Sequence, residues 1–545
     1  MGCPLSTATT AGGAPETPYN RHFFGGLTLA NLLSSLVRIS AGTTLSRVLG
    51  FVRDVVLARV FGADDTTDAF FVAFKIPNFL RRLFAEGAFA VAFVPVLTEY
   101  RATRSVQDLK RLVDRVAGTL GVVLLAVSLA GVIGAPFLML VFAPGWASSG
   151  DESFGLAVEM LRLTFPYLLF ISLTAFAGGI LNAHDRFGVP AFTPVLLNLV
   201  LIACALWLSP HMATPVTALA WGVLFAGVAQ FAFQLPFLHQ LQLVPRFTPA
   251  PRDPSVRRIL RQMTPAVLGV SVTQINLLVD TVIATFLAGG SISGLYYSDR
   301  LVEFPVGVLG VALGTLILPG LAQRHVAAAP AEFSRLIDWG LRWVVLLGLP
   351  AMTGLIMLAG PVISTLFQSD VFDARDVHMA SRSLVTYAVG LLPFLLVKVL
   401  APGFFARQDS RTPVRFAMLA VLVNLCLSLL LMRFLQHAGL ALATSLAAAV
   451  NAGLLFRGLR RGGVYRPSAG WPGLLLKAAF GSAVMGLFAL LAAWPLDDWT
   501  TVSLVTRAWR LAAIVCAAVT IYFGTLWLLG VRMTDFDGRP PAAVR

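Results

Sequence analysis

The sequence predicts an all-α, polytopic membrane protein with fourteen transmembrane helices. Of its 545 residues, 57% are hydrophobic and only 12% are charged, and the mean hydropathy is +0.80. Soluble proteins are about 45–50% apolar and about 25% charged. A soluble enzyme, a secreted disulfide scaffold and a disordered chain are therefore excluded. The length accommodates roughly a dozen spans of about 20 residues, with short loops and no large soluble domain.

Apolar segments long enough to cross a bilayer recur along the chain, and several end at Pro or Gly. Their limits are expected to hold within about two to four residues. The predicted helix cores are residues 32–61, 69–97, 116–142, 157–178, 191–209, 216–237, 265–288, 294–319, 339–367, 383–404, 414–433, 438–456, 472–494 and 508–530.

The loops between these segments alternate in charge. One set is rich in Lys and Arg, and the other is nearly free of them, for example at Asp64-Asp65 and Asp151-Glu152. Basic loops stay on the cytoplasmic side of a membrane, so both termini are predicted to be cytoplasmic. The same rule explains the net charge of +14 without a nucleic-acid partner. The basic loops contain Arg101, Arg104, Lys110, Arg111, Arg115, Arg246, Arg252, Arg257, Arg258, Arg261, Arg324, Arg335, Arg407, Arg411, Arg415, Arg457, Arg460, Arg461 and Arg466.

Two stretches of the chain resemble each other and indicate an internal duplication. DAFFVAFKIPNFLRRLFAEGAFAVAFVP ends at Pro95, and SGLYYSDRLVEFPVGVLGVALGTLILP ends 224 positions later at Pro319. NAHDRFGVP and ARQDSRTP end at Pro190 and Pro413, 223 positions apart. Because six is an even number, both copies of a six-helix repeat have the same orientation in the membrane. The two lobes are then related by an axis along the membrane normal, with a site between them.

The repeat divides the chain into predicted domains. The N-lobe covers residues 31–240 and holds the first six helices, and the C-lobe covers 241–460 and holds the next six. Helices thirteen and fourteen, within 461–535, lie outside the repeat. Residues 1–30, rich in Gly, Pro, Ala and Thr, are predicted to be a disordered extension, and 536–545 to be a tail.

Charged residues interrupt the first, second, seventh and eighth apolar segments. Each would cost about 2.5–3.5 kcal/mol at the centre of a bilayer even on the lenient insertion scale. They must therefore face protein or a hydrated cavity, either as interhelical salt bridges or as a ligand site. These residues are Arg47, Arg53, Asp54, Lys75, Arg81, Arg82, Glu86, Asp280, Asp299, Arg300 and Glu303.

The first two helices hold more basic than acidic residues, which favours an anionic ligand. The planar guanidinium of Arg binds phosphate through two parallel hydrogen bonds, so a diphosphate head group would suit several arginines. The sequence has no Walker A motif, no HExxH motif and no carboxylate cluster of the kind a metal-dependent glycosyltransferase needs. A transporter is therefore favoured over a membrane enzyme.

Four segments carry a family resemblance that covers about residues 31–535. They are SRVLGFVRD (46–54), TDAFFVAFKIPNFLRRLFAEGAFAVAFVPVL (67–97), YYSDRLVEFPVGVLGVALGTLILP (296–319) and KVLAPGFFARQDSRTPV (398–414). These segments closely resemble the MurJ (MviN) family of lipid II flippases, within the multidrug/oligosaccharidyl-lipid/polysaccharide exporter superfamily. The resemblance implies two six-helix lobes plus two C-terminal helices, and movement of undecaprenyl-diphosphate-linked peptidoglycan precursor from the inner to the outer leaflet of the bacterial cytoplasmic membrane.

The resemblance also implies the residues of a central cationic cavity. Its substrate-binding set is Arg47, Arg53, Asp54, Arg81 and Arg300, and its supporting charges are Asp68, Lys75, Glu86, Asp299 and Glu303. The C-terminal helices of the family form a groove suited to a polyprenyl tail. The expected partners are lipid II, membrane lipids and cell-wall synthases.

No organic cofactor is expected, but some family members bind sodium among helices seven, eleven and twelve. Asp280, Asn424, Ser428 and Thr444 are the matching residues, and Na⁺ is a candidate coupling ion. Ser428 stands where a carboxylate would bind a hard cation better. Alternative functions are a flippase for another polyprenyl-linked glycan and a cation-coupled exporter of the same superfamily. A scaffolding role would not explain the buried arginines.

Overall fold

The computed structural model describes residues 29–82, 89–326 and 329–532. All regular structure in these ranges is helical, which confirms the predicted fold class. Three parts of the prediction lie outside the described residues. They are residues 1–28 of the predicted extension, Glu86, and the predicted tail at 536–545.

Ten helices lie in the N-terminal half of the described chain. They are α1 Leu29–Phe61, α2 Asp65–Arg81, α3 Phe89–Thr103, α4 Val106–Ile133, α5 Ala135–Phe142, α6 Pro144–Ser149, α7 Glu152–Thr164, α8 Tyr167–Ala183, α9 Gly188–Ala203 and α10 Thr217–Gln240. A π-helical turn, Cys204–Leu208, continues α9.

Ten more helices complete the described chain. They are α11 Pro254–Ala284, α12 Ser291–Val326, α13 Pro330–Met357, α14 Ala359–Phe367, α15 Ala374–Val389, α16 Leu391–Phe405, α17 Arg411–Leu435, α18 His437–Arg461, α19 Trp471–Ala493 and α20 Leu504–Leu528.

Every predicted core coincides with one helix or with two consecutive helices. Ten spans among the described residues are long and apolar enough to cross a membrane. The segments predicted as the first, second, seventh and eighth spans are helical in α1, α2 with α3, α11 and α12, and the total of fourteen crossings stays a prediction. Several predicted spans are broken helices, with interruptions at Gly134, Pro166, Leu358 and Gly390.

Short polar side chains start many of these helices at the loops. Asp64, Ser105, Asp151, Asp253 and Asp373 each accept a hydrogen bond from a backbone N–H of the first turn that follows. Such caps satisfy donors that have no partner inside the helix. The caps thus fix where the chain leaves each loop and enters the apolar layer.

The loops define two faces of the molecule. We call the face bearing residues 101–115, 241–258, 324–326, 329–335 and 457–470 the basic face, and the other, bearing 61–66, 143–152, 285–291 and 365–376, the opposite face. One apolar core continues through both halves of the chain, from Leu57 and Phe70 to Tyr297, Leu395 and Leu455. The predicted domain limits remain a prediction.

The C-terminal helices are attached to α13 and α14 by polar contacts at both faces. On the basic face, Asp338 of α13 accepts hydrogen bonds from Tyr465 (2.8 Å), Trp471 (2.7 Å), the Ser468 backbone N–H (3.2 Å) and Arg342 (2.9 Å). On the opposite face, Arg507 of α20 donates to the carbonyl and hydroxyl oxygens of Ser364, both at 3.0 Å. The pair α19–α20 is therefore fixed at its two ends.

Replacing Asp338 should detach the basic-face end of α19. Asp338→Ala leaves several buried donors without an acceptor, and we expect the free energy of unfolding to fall by roughly 3–5 kcal/mol, the cost of breaking a buried charged pair. Thermal unfolding of the purified protein measures this. Glu332→Ala is the control, because its side chain is 54% exposed and its ion pairs are long. Equal melting temperatures for the two variants would contradict the assigned role of Asp338.

Candidate functional site

The central charged site lies where α1 meets α12. Arg53 and Asp54 are neighbours on α1, and Nη2 of Arg53 lies 2.5 Å from Oδ1 of Asp54. The hydroxyl of Tyr296, on α12, donates to the same Asp54 oxygen at 3.0 Å and accepts from Arg53 at 3.0 Å. The side chains of Arg53 and Asp54 are only 12% and 3% exposed. The two lobes therefore share one buried ionic network.

Arg300 completes this network from α12. Its Nε lies 3.5 Å from Oδ2 of Asp54, and its guanidinium also pairs with Glu303. The guanidinium carbon lies 4.9 Å from the ring centroid of Tyr296, a favourable cation–π distance. Its side chain is 30% exposed, so Arg300 keeps access to the space between the lobes.

Asn198, on α9, positions Arg53 from within the N-lobe. Its amide oxygen accepts from Nη1 of Arg53 at 3.1 Å, and its amide nitrogen donates to the Ser46 carbonyl at 3.1 Å. Sequence reasoning missed both Asn198 and Tyr296, because neither is charged. An Asn inside a long apolar helix is the signal that was available, since an amide in a membrane helix normally has a polar partner.

The remaining predicted cavity residues are spread along the same interface. Arg47 is exposed, and a Cβ atom at position 307 of α12 would overlap with its guanidinium, so Gly307 makes room for it. Nε of Arg81 donates to Asn78 on its own helix at 3.0 Å. Asp299 is partly buried beside Arg300. The structure thus brings Arg47, Arg53, Asp54 and Arg300 to the seam between α1 and α12, and places Arg81 on α2.

Asp68 lies away from this network, at the opposite-face end of the interface. Its buried carboxylate accepts from the backbone N–H groups of Gly290 (2.9 Å), Ile292 (3.3 Å) and Ser293 (2.6 Å). Asp68 therefore caps the start of α12, where the helix dipole favours an anion. Its structural contact is a cap between the lobes, whereas the sequence suggested a supporting cavity charge.

Further contacts close the opposite face around this cap. Arg59 of α1 donates to the carbonyls of Thr365 and Leu366, both at 2.9 Å. Gly290 has φ +81° and approaches the Ala63 carbonyl so closely that a Cβ atom would overlap with it. A glycine is needed there both for the backbone conformation and for the contact. The lobes therefore touch directly along the opposite face.

Repeat-related residues meet each other in this interface. Asp68 accepts a hydrogen bond from the backbone N–H of Ser293, which lies 225 positions later in the chain. Phe71 and Tyr296 have the same spacing of 225, and their rings stack with centroids 4.1 Å apart. Residues that lie on a two-fold axis contact their own equivalents. The contacts therefore agree with the duplication read from the sequence and with an axis that runs between α2 and α12.

Three of the four predicted sodium ligands also come together, in the C-lobe. Asp280 of α11 accepts from Nδ2 of Asn424 at 2.7 Å and from Oγ1 of Thr444 at 3.2 Å. Ser428 lies one turn from Asn424 on α17 and is fully buried. Its hydroxyl has no hydrogen-bond partner among the described residues. We call Asp280, Asn424 and Thr444, together with Ser428 one turn along α17, the Asp280 pocket.

Comparison with known proteins identifies the family. A model of the family described as "Lipid II flippase MurJ" matches residues 57–509. This chain belongs to the MurJ family. The "Probable lipid II flippase MurJ" of Vibrio cholerae is 47% identical over 513 residues, covering 92% of this chain and 97% of the relative. The "Lipid II flippase MurJ" of Burkholderia cenocepacia is 43% identical, covering 93% of this chain and 99% of the relative.

Solved structures agree with this membership. The structure described as "Lipid II flippase MurJ, inward closed conformation" has a TM-score of 0.75 at 25% identity, covering 90% of this chain and 100% of that chain. An inward-facing MATE family transporter of the MOP superfamily has a TM-score of 0.64 at 15% identity, covering 79% of this chain and 98% of its own. The second likeness supports the fold alone. The MurJ family membership expected from the sequence is thereby confirmed.

Removing the Asn198 amide should weaken ligand binding through Arg53. In Asn198→Leu, the Arg53 guanidinium loses one of its fixed acceptors, and a hydrogen bond to a charged group contributes about 1.5–3 kcal/mol. We expect the affinity of the purified protein for a diphosphate lipid to fall roughly tenfold. Asn182→Leu is the control, because that amide is exposed at the basic face. An unchanged affinity in Asn198→Leu would exclude the positioning role.

Weakening the Asp68 cap should loosen the opposite face. Cysteines at positions 65 and 289 should form a disulfide readily, because a Cβ atom on Gly289 would overlap with the Asp65 carboxylate. Adding Asp68→Asn to this double-cysteine protein removes the anion from the start of α12. We then expect the disulfide between positions 65 and 289 to form severalfold more slowly. Asp370→Asn removes an exposed carboxylate of the same face and should leave the rate unchanged. A rate insensitive to Asp68→Asn would show that the cap does not hold the lobes together.

Proposed function

We propose that this protein is a lipid II flippase of the bacterial cytoplasmic membrane, where it carries the undecaprenyl-diphosphate-linked precursor from the inner to the outer leaflet. Family membership and the high identity to curated lipid II flippases support the cargo. Cell-wall synthases, which would consume lipid II on the outer side, are expected partners. The basic face would be cytoplasmic, with both termini on that side, in accordance with the positive-inside rule.

One observation carries the proposed mechanism, namely the cluster of three guanidinium groups at the junction of α1 and α12. Arg53 and Arg300 both pair with Asp54, and Arg300 also pairs with Glu303. Arg47 has no ion pair among the described residues. Guanidinium groups bind phosphate in a bidentate geometry, and their positive charge is costly in the membrane without an anion. A diphosphate would supply the anion that Arg47 lacks.

The interface of the lobes gives a route for this head group. With the opposite face closed by Asp68 and Arg59, the head group would enter from the basic face and reach Arg47, Arg53 and Arg300, while the polyprenyl tail stays in the lipid. Rocking of the two lobes against each other at the α2–α12 interface would then break the opposite-face contacts and release the head group outside, as in alternating access. The chain's own groups bind and orient the cargo, and no covalent step is required.

The membrane potential would assist both halves of this cycle. An inside-negative potential is worth about 2.3 kcal/mol per elementary charge per 100 mV. It pushes an anionic head group outward and draws the emptied cationic site back toward the cytoplasmic side. The arginine cluster would therefore serve both to bind the cargo and to reset the transporter.

Removing Arg300 should abolish transport while the protein still reaches the membrane. In Arg300→Ala, Asp54 loses a cross-lobe cation and the site loses a phosphate ligand. We expect at least a tenfold loss of lipid II cleavable by an externally added lipid II-cleaving toxin in cells that depend on the variant. Arg324→Ala, at the basic-face end of the same helix, is the control and should support normal cleavage.

The same assay tests the cargo itself. Depleting the wild-type protein should remove the cleavage product while total lipid II accumulates. If cleavage continues in depleted cells that contain no other flippase, lipid II is not the cargo, and another polyprenyl-linked glycan takes its place. Normal cleavage in cells that contain only Arg300→Ala would refute the proposed role of the arginine site.

A further inference from the structure

The Asp280 pocket has the ligand types of a site for a monovalent alkali cation. Hard cations prefer oxygen ligands, and the pocket offers one carboxylate, two hydroxyls and an amide. The buried Ser428 hydroxyl, without a partner among the described residues, is an oxygen available for such an ion. No group of three or more His, Cys, Asp or Glu side chains that could hold a metal occurs in the described part of the chain. A single carboxylate suits one positive charge.

A cation supplied by the protein already lies beside this pocket. Lys75, on α2 of the N-lobe, donates from Nζ to Oγ1 of Thr281 at 2.5 Å, and Thr281 directly follows Asp280 on α11. Within the described residues, no Lys or Arg nitrogen forms an ion pair with Asp280 inside 4 Å. The nearby ammonium is thus suited to be the counter-ion of this carboxylate across the lobe interface.

The internal repeat supports this pairing independently. Lys75 and Arg300 are related by the same spacing of 225 positions that relates Asp68 to Ser293. Asp54 and Asp280 are 226 positions apart, as are Asn198 and Asn424. Each lobe therefore has an Asp on its first helix, an Asn on its fifth helix, and a cation that reaches the other lobe from its second helix. Lys75 is the repeat equivalent of Arg300, but Arg300 pairs directly with Asp54, whereas Lys75 bonds to Thr281 next to Asp280.

Repulsion disfavours two cations in this pocket. The Lys75 ammonium, bonded to Thr281, and an alkali cation on Asp280 would lie close together in the membrane interior. Two unit charges about 5 Å apart repel by about 3 kcal/mol at an effective dielectric constant of about 20, which corresponds to about a hundredfold in affinity. The lysine and the free ion must therefore alternate.

We propose that Lys75 is the resident cation of the Asp280 pocket when the lobes are closed at the opposite face, and that an alkali cation such as Na⁺ binds there only when Lys75 is withdrawn. Because α2 and α11 belong to different lobes, any motion that separates them removes the ammonium and exposes the carboxylate. Whether the ion is bound would then depend on whether the interface between α2 and α11 is closed or open. The role of this exchange in coupling rests on the proposed transport function, whereas the exchange itself does not.

Sodium binding to the purified full-length protein tests this inference. The readouts are saturable binding of radiolabelled sodium and the shift in melting temperature in NaCl relative to choline chloride at equal ionic strength. The wild type should show neither in the sub-millimolar range. Lys75→Gln should bind sodium about a hundredfold more tightly than the wild type and gain a stabilisation of a few degrees at saturation. Lys75→Gln combined with Asp280→Asn should lose the gain.

Lys398→Gln is the matched control, since it removes the same charge from an exposed position on α16 and should create no sodium site. If the wild type itself binds sodium tightly and Asp280→Asn abolishes that binding, the proposal is overturned, and no Lys75 variant is needed to show it. Failure of monodisperse Lys75→Gln, and of Lys75→Met, to bind sodium would also overturn it. These readouts are separate from toxin cleavage of lipid II, so failure of the ion exchange and failure of the flippase function can be told apart.

Discussion

Neutralising charge inside the membrane is the constraint on which this architecture depends. Every ionised side chain in the apolar layer must find a counter-charge or a hydrated space. Some of these counter-charges are on the other lobe, as for Arg300, which pairs with Asp54 across the interface and with Glu303 on its own helix. The ionic network therefore joins two halves that must also be able to separate. In a transporter built in this way, electrostatic contacts at the interface determine which conformation is preferred, and the apolar packing within each lobe stays intact.

The duplication explains why those contacts fall where they do. A parallel repeat places equivalent helices on either side of an axis along the membrane normal, so residues near the axis meet their own copies. Asp68 with Ser293 and Phe71 with Tyr296 are such meetings. Divergence of the two copies then produced complementary pairs, an anion opposite a hydroxyl and backbone donors, or a phenyl ring opposite a phenol. The additional pair α19–α20 lies outside the symmetry and is held to the C-lobe by its own polar anchors, Asp338 and Arg507.

The sequence predicted most of the fold because the bilayer imposes a simple length and polarity rule on each helix. Charges in apolar segments predicted only that these side chains face protein or a hydrated cavity, and the family resemblance implied that Arg53, Asp54 and Arg300 share one site. The sequence could not predict the breaks at Leu358 and Gly390, where apolarity continues across the interruption. Sequence reasoning did not predict the role of Asn198 because its side chain is uncharged. The family resemblance placed Asp68 among the supporting charges of the cavity, and its contact at the start of α12 depends on how the lobes dock.

The two repeat-related carboxylates differ chiefly in the cation that faces them. Arg300 is planar, permanently charged and able to hold Asp54 while still presenting donors to a phosphate. Lys75 is a compact, strongly hydrated point charge on a flexible stem, which can leave its partner without breaking a fixed geometry. After duplication, the arginine-faced copy is therefore suited to bind an anionic cargo, and the lysine-faced copy to exchange its cation. One ancestral arrangement of Asp, Asn and a cross-lobe cation can in this way supply both a cargo site and a site sensitive to lobe separation.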